Sequence, residues 1–154
     1  MSMRSRLIGI AAVTCALAAG TALAEGPNLG KAADGEKIFA EKCAVCHGDK
    51  GKGGIAGQLI GGPPKASLDG GKTIANFWPA ATTLFDFIRR AMPYHAPRSL
   101  SDQEVYALTA YLLSANKLIG ENDEVNATSL PKVQMPNRNG FVSDPRPDVP
   151  LKRK

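Results

Sequence analysis

The chain has 154 residues, 44% of them apolar and 6% aromatic, with 19 basic side chains against 14 acidic ones and a net charge of +5. That length suits one modest domain behind a leader, and a charge this mild gives no argument for nucleic acid as a partner. A chain of this size and aromatic content buries a small core, so a bound apolar group would supply much of the missing interior volume.

Arg4 and Arg6 form a positive n-region, Leu7 to Ala19 is apolar, and Ala22-Leu23-Ala24 is a small-residue cleavage site. Residues 1–24 therefore read as a signal peptide, with the mature chain starting at Glu25 in the periplasm and no membrane span after cleavage. The apolar run is short and rich in alanine, which weighs against the competing reading, an uncleaved anchor. Cys15 lies inside this segment and takes no role. No twin-arginine pair is present, so general secretion of an unfolded chain is expected, with any cofactor attached after export. Residues 25–33 contain Gly, Pro and Asn and read as a flexible arm.

From Asp34, taken as a cap, Ile38, Phe39 and Cys43 recur at helical spacing. Gly35 shares a face with Phe39; a glycine there costs helix stability, so a close crossing by another helix is its expected reason. The helix runs into Cys43-Ala44-Val45-Cys46-His47, a C-x-x-C-H run. In an exported chain this pattern reads as an attachment site for one covalent haem c. Two thiols one helical turn apart can form thioethers with the vinyl groups of the porphyrin, and the adjacent His47 can bind the iron. A thioredoxin-like pair would need a βαβ setting that is missing. A zinc site would have to use the adjacent Cys46 and His47 as two tetrahedral ligands. A plain disulfide leaves His47 unexplained.

Residues 49–71 are dense in glycine, with Pro63 and Pro64, and read as a loop able to fold over a porphyrin edge. A ligating histidine needs its other nitrogen bonded to a carbonyl, for which Pro63 or a neighbour is the candidate. Thr83-Leu84-Phe85-Asp86 reads as a capping box opening a helix through Ala91, and Pro93 forbids its continuation. Arg89 and Arg90 suit the helix C-terminus; docking or contact with haem propionates is the alternative. Met92 thus stands at a helix end about 45 residues after His47. It is the favoured second axial ligand, ahead of His95 and of an open or Met135-bound iron. Ser101-Asp102-Gln103-Glu104 is a second capping box, opening a helix to about Leu118 with Gly120 as its C′ residue. Residues 121–154 hold five prolines and end in Lys152-Arg153-Lys154, and so read as an extended tail. Its apolar Leu130, Val133, Met135, Phe141 and Val142 imply packing on a surface, on this domain or on a partner.

Gly35, Phe39, the C-x-x-C-H run, Ala91-Met92-Pro93, Leu108 and Tyr111 together resemble class I cytochromes c over roughly residues 34–118. The resemblance implies an all-α cytochrome c domain over 34–120, with first and last helices crossing at the glycine and the aromatic pair. A narrower resemblance joins it. Phe77-Trp78-Pro79, Ala96-Pro97-Arg98-Ser99-Leu100, the run from Val105 to Tyr111, and Leu130 to Arg138 with Phe141 look like the cytochrome subunits of bacterial sulfite dehydrogenases and Sox sulfur-oxidation systems. This implies a molybdenum-containing sulfite dehydrogenase subunit as donor, with a downstream soluble cytochrome or oxidase receiving the electrons. The expected function is single-electron transfer with His47 and Met92 on the iron, as an accompanying subunit without catalytic residues of its own. The alternative from another class is a haem enzyme with an open or labile distal site, acting on a sulfur compound or peroxide.

Overall fold

The computed structural model describes residues 29–61 and 71–142. The expected signal peptide, the first four residues of the expected arm, Pro63 and Pro64, and the basic C-terminal end lie outside the described residues.

The chain is helical: α1 (Ala32–Lys42), α2 (Ala44–His47), α3 (Ile74–Phe77), α4 (Ala81–Ala91) and α5 (Asp102–Ala115). Two short strands, β1 (Gly30–Lys31) and β2 (Glu124–Val125), pair antiparallel with Gly30 opposite Val125. This pairing joins the two ends of the domain. It also corrects two expectations. Gly30 to Ala33 are not a loose arm, because Gly30 packs so tightly on α5 that a Cβ would lie 2.2 Å from the Tyr106 carbonyl oxygen. Helix α1 begins at Ala32, so Asp34 is a first-turn carboxylate near the positive helix end rather than the cap.

Helices α1 and α5 cross at Gly35. A Cβ there would stand 1.9 Å from the Ala107 carbonyl oxygen and 2.8 Å from Tyr111 Cβ, so only glycine lets the backbones meet. One turn along, the Phe39 and Tyr111 rings pack at 5.3 Å between centroids. Around this crossing the core gathers Leu84 and Ile88 of α4 with Val105, Leu108, Leu112 and Leu113 of α5.

The capping box at α5 is present: Ser101 N–H donates to Glu104 Oε2 at 2.8 Å, and Glu104 N–H to Ser101 Oγ at 3.3 Å. The other end differs from expectation. The C′ residue is Lys117, at φ 59°, not Gly120. Lys117 N–H donates to the Ser114 carbonyl and Leu118 N–H to the Leu113 carbonyl, the paired bonds of a Schellman motif. Tucking Leu118 against the core favours closing the helix early, even at a left-handed lysine.

The expected capping box at Thr83 is also corrected. Helix α4 starts at Ala81, just after Pro79, so Thr83 is already inside the first turn and its N–H donates to the Ala80 carbonyl. Asp86 is engaged instead by Arg90 one turn on, Arg90 Nε donating to its Oδ1 at 2.8 Å. The short helix α3 was not expected. Thr73 N–H donates to Asn76 Oδ1 at 2.8 Å, and Asn76 Nδ2 to the Gly71 carbonyl at 2.7 Å, which closes its first turn.

From residue 121 to 142 the chain runs through turns, β2 and a short 3-10 turn (Leu130–Lys132), and it belongs to the body. Val125, Leu130 and Met135 are each 2–3% exposed. Ser129 and Asn126 fold the segment on itself through bonds from Thr128 N–H and Ser129 N–H to Asn126 Oδ1. Asn137 Nδ2 then donates to the Phe77 carbonyl at 2.5 Å and ties the segment to α3. Phe141 and Val142 stay exposed. No helix among the described residues is long and apolar enough to cross a membrane.

Candidate functional site

The C-x-x-C-H run forms the junction of α1 and α2. Cys43 N–H still donates to the Phe39 carbonyl, closing the last turn of α1, while its own carbonyl accepts from Cys46 N–H at 3.1 Å and His47 N–H at 3.0 Å. Both thiols are thereby held on one turn, and they are not bridged to each other. Gly48 turns the chain at φ 74°, where a Cβ would meet the Gly53 carbonyl oxygen at 2.0 Å. The loop then folds back along the motif, with Gly53 N–H donating to the His47 carbonyl and Ala56 N–H to the Cys46 carbonyl.

This return brings the Gly57 carbonyl to 2.9 Å from His47 Nδ1. A carbonyl can only accept, so Nδ1 carries the proton and Nε2 of the neutral ring keeps its lone pair free for a metal. Gly57 is thus the orienting group among the described residues, because the loop doubles back on the motif; the expected Pro63 lies outside them. The far end of the loop is pinned by a residue that sequence reasoning passed over. Asn116, at the C-terminal cap of α5, accepts from Gly61 N–H at 2.9 Å and donates to the Leu59 carbonyl at 3.2 Å. No local pattern marks it, because the loop it binds lies 55 to 57 residues upstream.

Cys43, Cys46, His47 and Met92 all line one cavity of about 300 Å3. Its walls are apolar, with Phe39 from α1, Ile88 from α4, Leu100 from the turn before α5, and Leu108 and Leu112 from α5. Met92 enters from the C-terminal cap of α4, where Met92 N–H ends the helix on the Ile88 carbonyl. His95 also lines the cavity, from an exposed turn. Met135 does not; it is buried in the core beyond it, which removes it as an alternative iron ligand. Ile55 and Tyr94, both almost wholly exposed, stand at the rim.

Burial pushes the Cys43 thiol up to about 11, opposed by Lys42 and assisted by Cys46. At neutral pH it stays protonated and is slow to attack another sulfur. Lys42 meanwhile bonds Glu104 at 2.5 Å, joining the end of α1 to the start of α5 beside the cavity. That bond holds the Glu104 carboxyl below its ordinary range, and the Ser101 backbone N–H adds to the effect.

The donor set fits a covalently held haem: two free thiols on one turn, an imidazole with a fixed tautomer, a thioether, and apolar walls. No group of three or more His, Cys, Asp and Glu side chains that could hold a bare metal ion occurs among the described residues, so a zinc reading finds no support there.

Residues 32–116 match the family model for cytochrome c. The chain belongs to the cytochrome c family. Membership carries a covalently bound haem c. This cytochrome is 40% identical over 85 residues to a thiosulfate dehydrogenase of Stutzerimonas stutzeri, covering 53% of this chain and 26% of that protein. It is 33% identical over 102 residues to a thiosulfate dehydrogenase of Psychrobacter arcticus, covering 59% of this chain and 28% of that one. The cytochrome thus spans little more than a quarter of these curated relatives. Among solved structures it is similar to the sulfane dehydrogenase SoxCD from Paracoccus pantotrophus, with a TM-score of 0.71 and 35% identity over 77% of this chain and 59% of that one. The cytochrome domain is therefore related to those of sulfur-oxidising dehydrogenases, consistent with electron transfer in sulfur oxidation.

Proposed function

We propose that this chain is a periplasmic monohaem electron carrier, the electron-accepting subunit or partner of a molybdenum-containing sulfite dehydrogenase or a related sulfur-oxidising enzyme. The observation that carries the reading is the convergence of Cys43, Cys46, His47 and Met92 on one apolar cavity. Cys43 and Cys46 would hold the haem through thioethers, and His47 and Met92 would bind its iron. The bound group supplies a one-electron couple between ferrous and ferric iron. The residues of the chain do the rest. Gly57 fixes the tautomer of His47 and keeps Nε2 unprotonated. Met92, held by the end of α4 and by Pro93, offers a soft sulfur that favours the ferrous state and raises the potential over a bis-histidine site. Phe39, Leu108 and Leu112 exclude water from the cavity, which limits reorganisation when charge changes.

If His47 and Met92 both bind the iron, the site would leave no position for substrate, and oxidation of the sulfur compound would belong to the partner. The resemblance to sulfite dehydrogenase and Sox cytochromes and the similarity to SoxCD support that assignment. A signal peptide over residues 1–24 supports the periplasm. Downstream, a soluble cytochrome or oxidase would take the electrons.

The test is a visible spectrum of the native, purified full chain, with acid–acetone extraction run separately to show that the haem is covalently retained. A sharp α band in the reduced protein and a weak sulfur-to-iron band near the red end in the oxidised protein are expected. A high-spin spectrum would favour a haem enzyme with an open site, and an absence of visible absorption would remove both haem readings.

A further inference from the structure

We infer that a cleft lined by Arg89, Arg90 and Arg98, beside the end of α4, is a docking point for a carboxylate-bearing surface of an electron-transfer partner. It rests on the electron-carrier reading. The cleft, of about 400 Å3, is completed by Asp86, Asp102 and Leu100. Leu100 also lines the cavity that holds Met92 and His47, so one buried side chain separates the cleft from the candidate haem site. A partner seated here is therefore placed for short-range electron exchange.

The charges are unequally committed. Arg89 Nε meets Asp102 Oδ1 at 2.9 Å, and Arg90 pairs with Asp86 through two bonds. Arg98 has no hydrogen bond or ion pair among the described residues, leaving three guanidiniums against two carboxylates. Arg98 also sits at φ 64°, in the left-handed region that favours glycine. A long cationic side chain thus sits on a backbone that strains it, with no partner among the described residues to account for it, which points outward to function.

The occupant that fits is a protein surface with spaced carboxylates. Asp86 and Asp102 already engage Arg90 and Arg89, so a compact oxyanion would find a single uncommitted guanidinium. Side-chain carboxylates can address Arg98 and the outer edges of the other two guanidiniums one by one.

The experiment uses the full haem-loaded chain as wild type, Arg98→Gly and Arg98→Glu. The reduced protein gives one electron to hexacyanoferrate(III), which becomes hexacyanoferrate(II); tris(phenanthroline)cobalt(III) serves as the cationic counterpart. At low salt, Arg98→Gly should slow the anionic oxidant about threefold and Arg98→Glu about tenfold, with the cationic oxidant faster by similar factors. The spectrum should not change, and Arg98→Gly should melt no earlier than wild type, because glycine relieves the strain. Hexaglutamate should slow the wild-type reaction with hexacyanoferrate but not that of Arg98→Glu. Unchanged hexacyanoferrate rates, or both oxidants slowed alike, would overturn the proposal. Sulfate competing as well as hexaglutamate at equal ionic strength would assign the cleft to a small oxyanion and overturn it too. Loss of the covalent haem band in the wild type would overturn the electron-carrier reading, a failure seen in the spectrum before any rate is measured.

Discussion

His47 Nδ1 stands 2.9 Å from the carbonyl oxygen of Gly57, ten residues on, and this contact decides which nitrogen of the ring can bind iron. It depends on the turn at Gly48, where φ is 74° and a Cβ would collide with the Gly53 carbonyl. Gly57 itself faces open space. Gly48→Ala should therefore cost about 1–3 kcal/mol by displacing the loop, while Gly57→Ala should stay within about 0.5 kcal/mol of wild type. Thermal unfolding of the two variants measures the difference, and equal losses would mean that the loop is not held by this turn.

The distal ligand is tested by exchange. Met92→His should keep the iron low-spin and lower its potential, and Met92→Ala should open the site to cyanide. His95→Ala should alter neither spectrum nor potential appreciably, although His95 lines the same cavity. A His95→Ala protein that turned high-spin would transfer the role to the histidine.

At the helix crossing, Gly35→Ala forces a methyl group into the Ala107 carbonyl at 1.9 Å. Neither backbone can retreat without losing the Phe39–Tyr111 contact and the β1–β2 pairing next to it. A loss of about 3 kcal/mol or more is expected, at the upper end of overpacking costs. Chemical denaturation with an unchanged m-value would check it.

The Lys42–Glu104 pair predicts a pH dependence. The Glu104 pKa is lowered in the folded state, first by the Lys42 bond and then by Ser101, so its contribution is present above the ordinary carboxylate pKa and is lost as pH falls through the folded value. The Lys42 pKa is raised, so its contribution is complete below the ordinary lysine value and is lost as pH rises through the folded one. Both side chains are partly exposed, so the pair itself is worth only about 0.5 kcal/mol; removing Glu104 also removes a cap worth about 1 kcal/mol. Glu104→Gln should flatten the acid limb of the stability profile relative to wild type, and a profile of identical slope would discount the pair.

What could be read from the sequence follows from how local each signal is. The C-x-x-C-H run, the Ser101–Glu104 box and the crossing at Gly35 are each written within a few residues or in one periodic face. The start of α4 was misread because Thr83 and Asp86 satisfy the spacing of a box, while the Asp86 carboxylate is claimed by Arg90. The end of α5 was misread because a glycine is the usual C′ residue, yet burial of Leu118 set the stop at Lys117. Gly57 and Asn116 could not be found at all: each acts across a loop whose path no local pattern records.

The segment after Gly120 shows the same limit and yields the sharpest prediction. Pro131 and Pro136 go with a segment that forms no long helix or strand, but prolines do not say what lies beneath. Val125, Leu130 and Met135 are buried, β2 holds β1 in place, and Asn137 reaches the Phe77 carbonyl. Burial of one such side chain is worth about 1.5–3 kcal/mol, so three of them approach the whole stability of a small domain. Truncation after Gly120 should therefore unfold the apoprotein or lower its midpoint drastically, even though every expected iron ligand lies upstream. Truncation after Gly140 removes the exposed Phe141 and Val142 and leaves the buried side chains, so its midpoint should stay close to that of the full chain. If both truncations melted alike, the packing of residues 121–137 would contribute nothing. If only the shorter deletion kept its midpoint and yet bound the proposed sulfur-oxidising partner more weakly, residues 141–154 would be the part of the tail that serves docking.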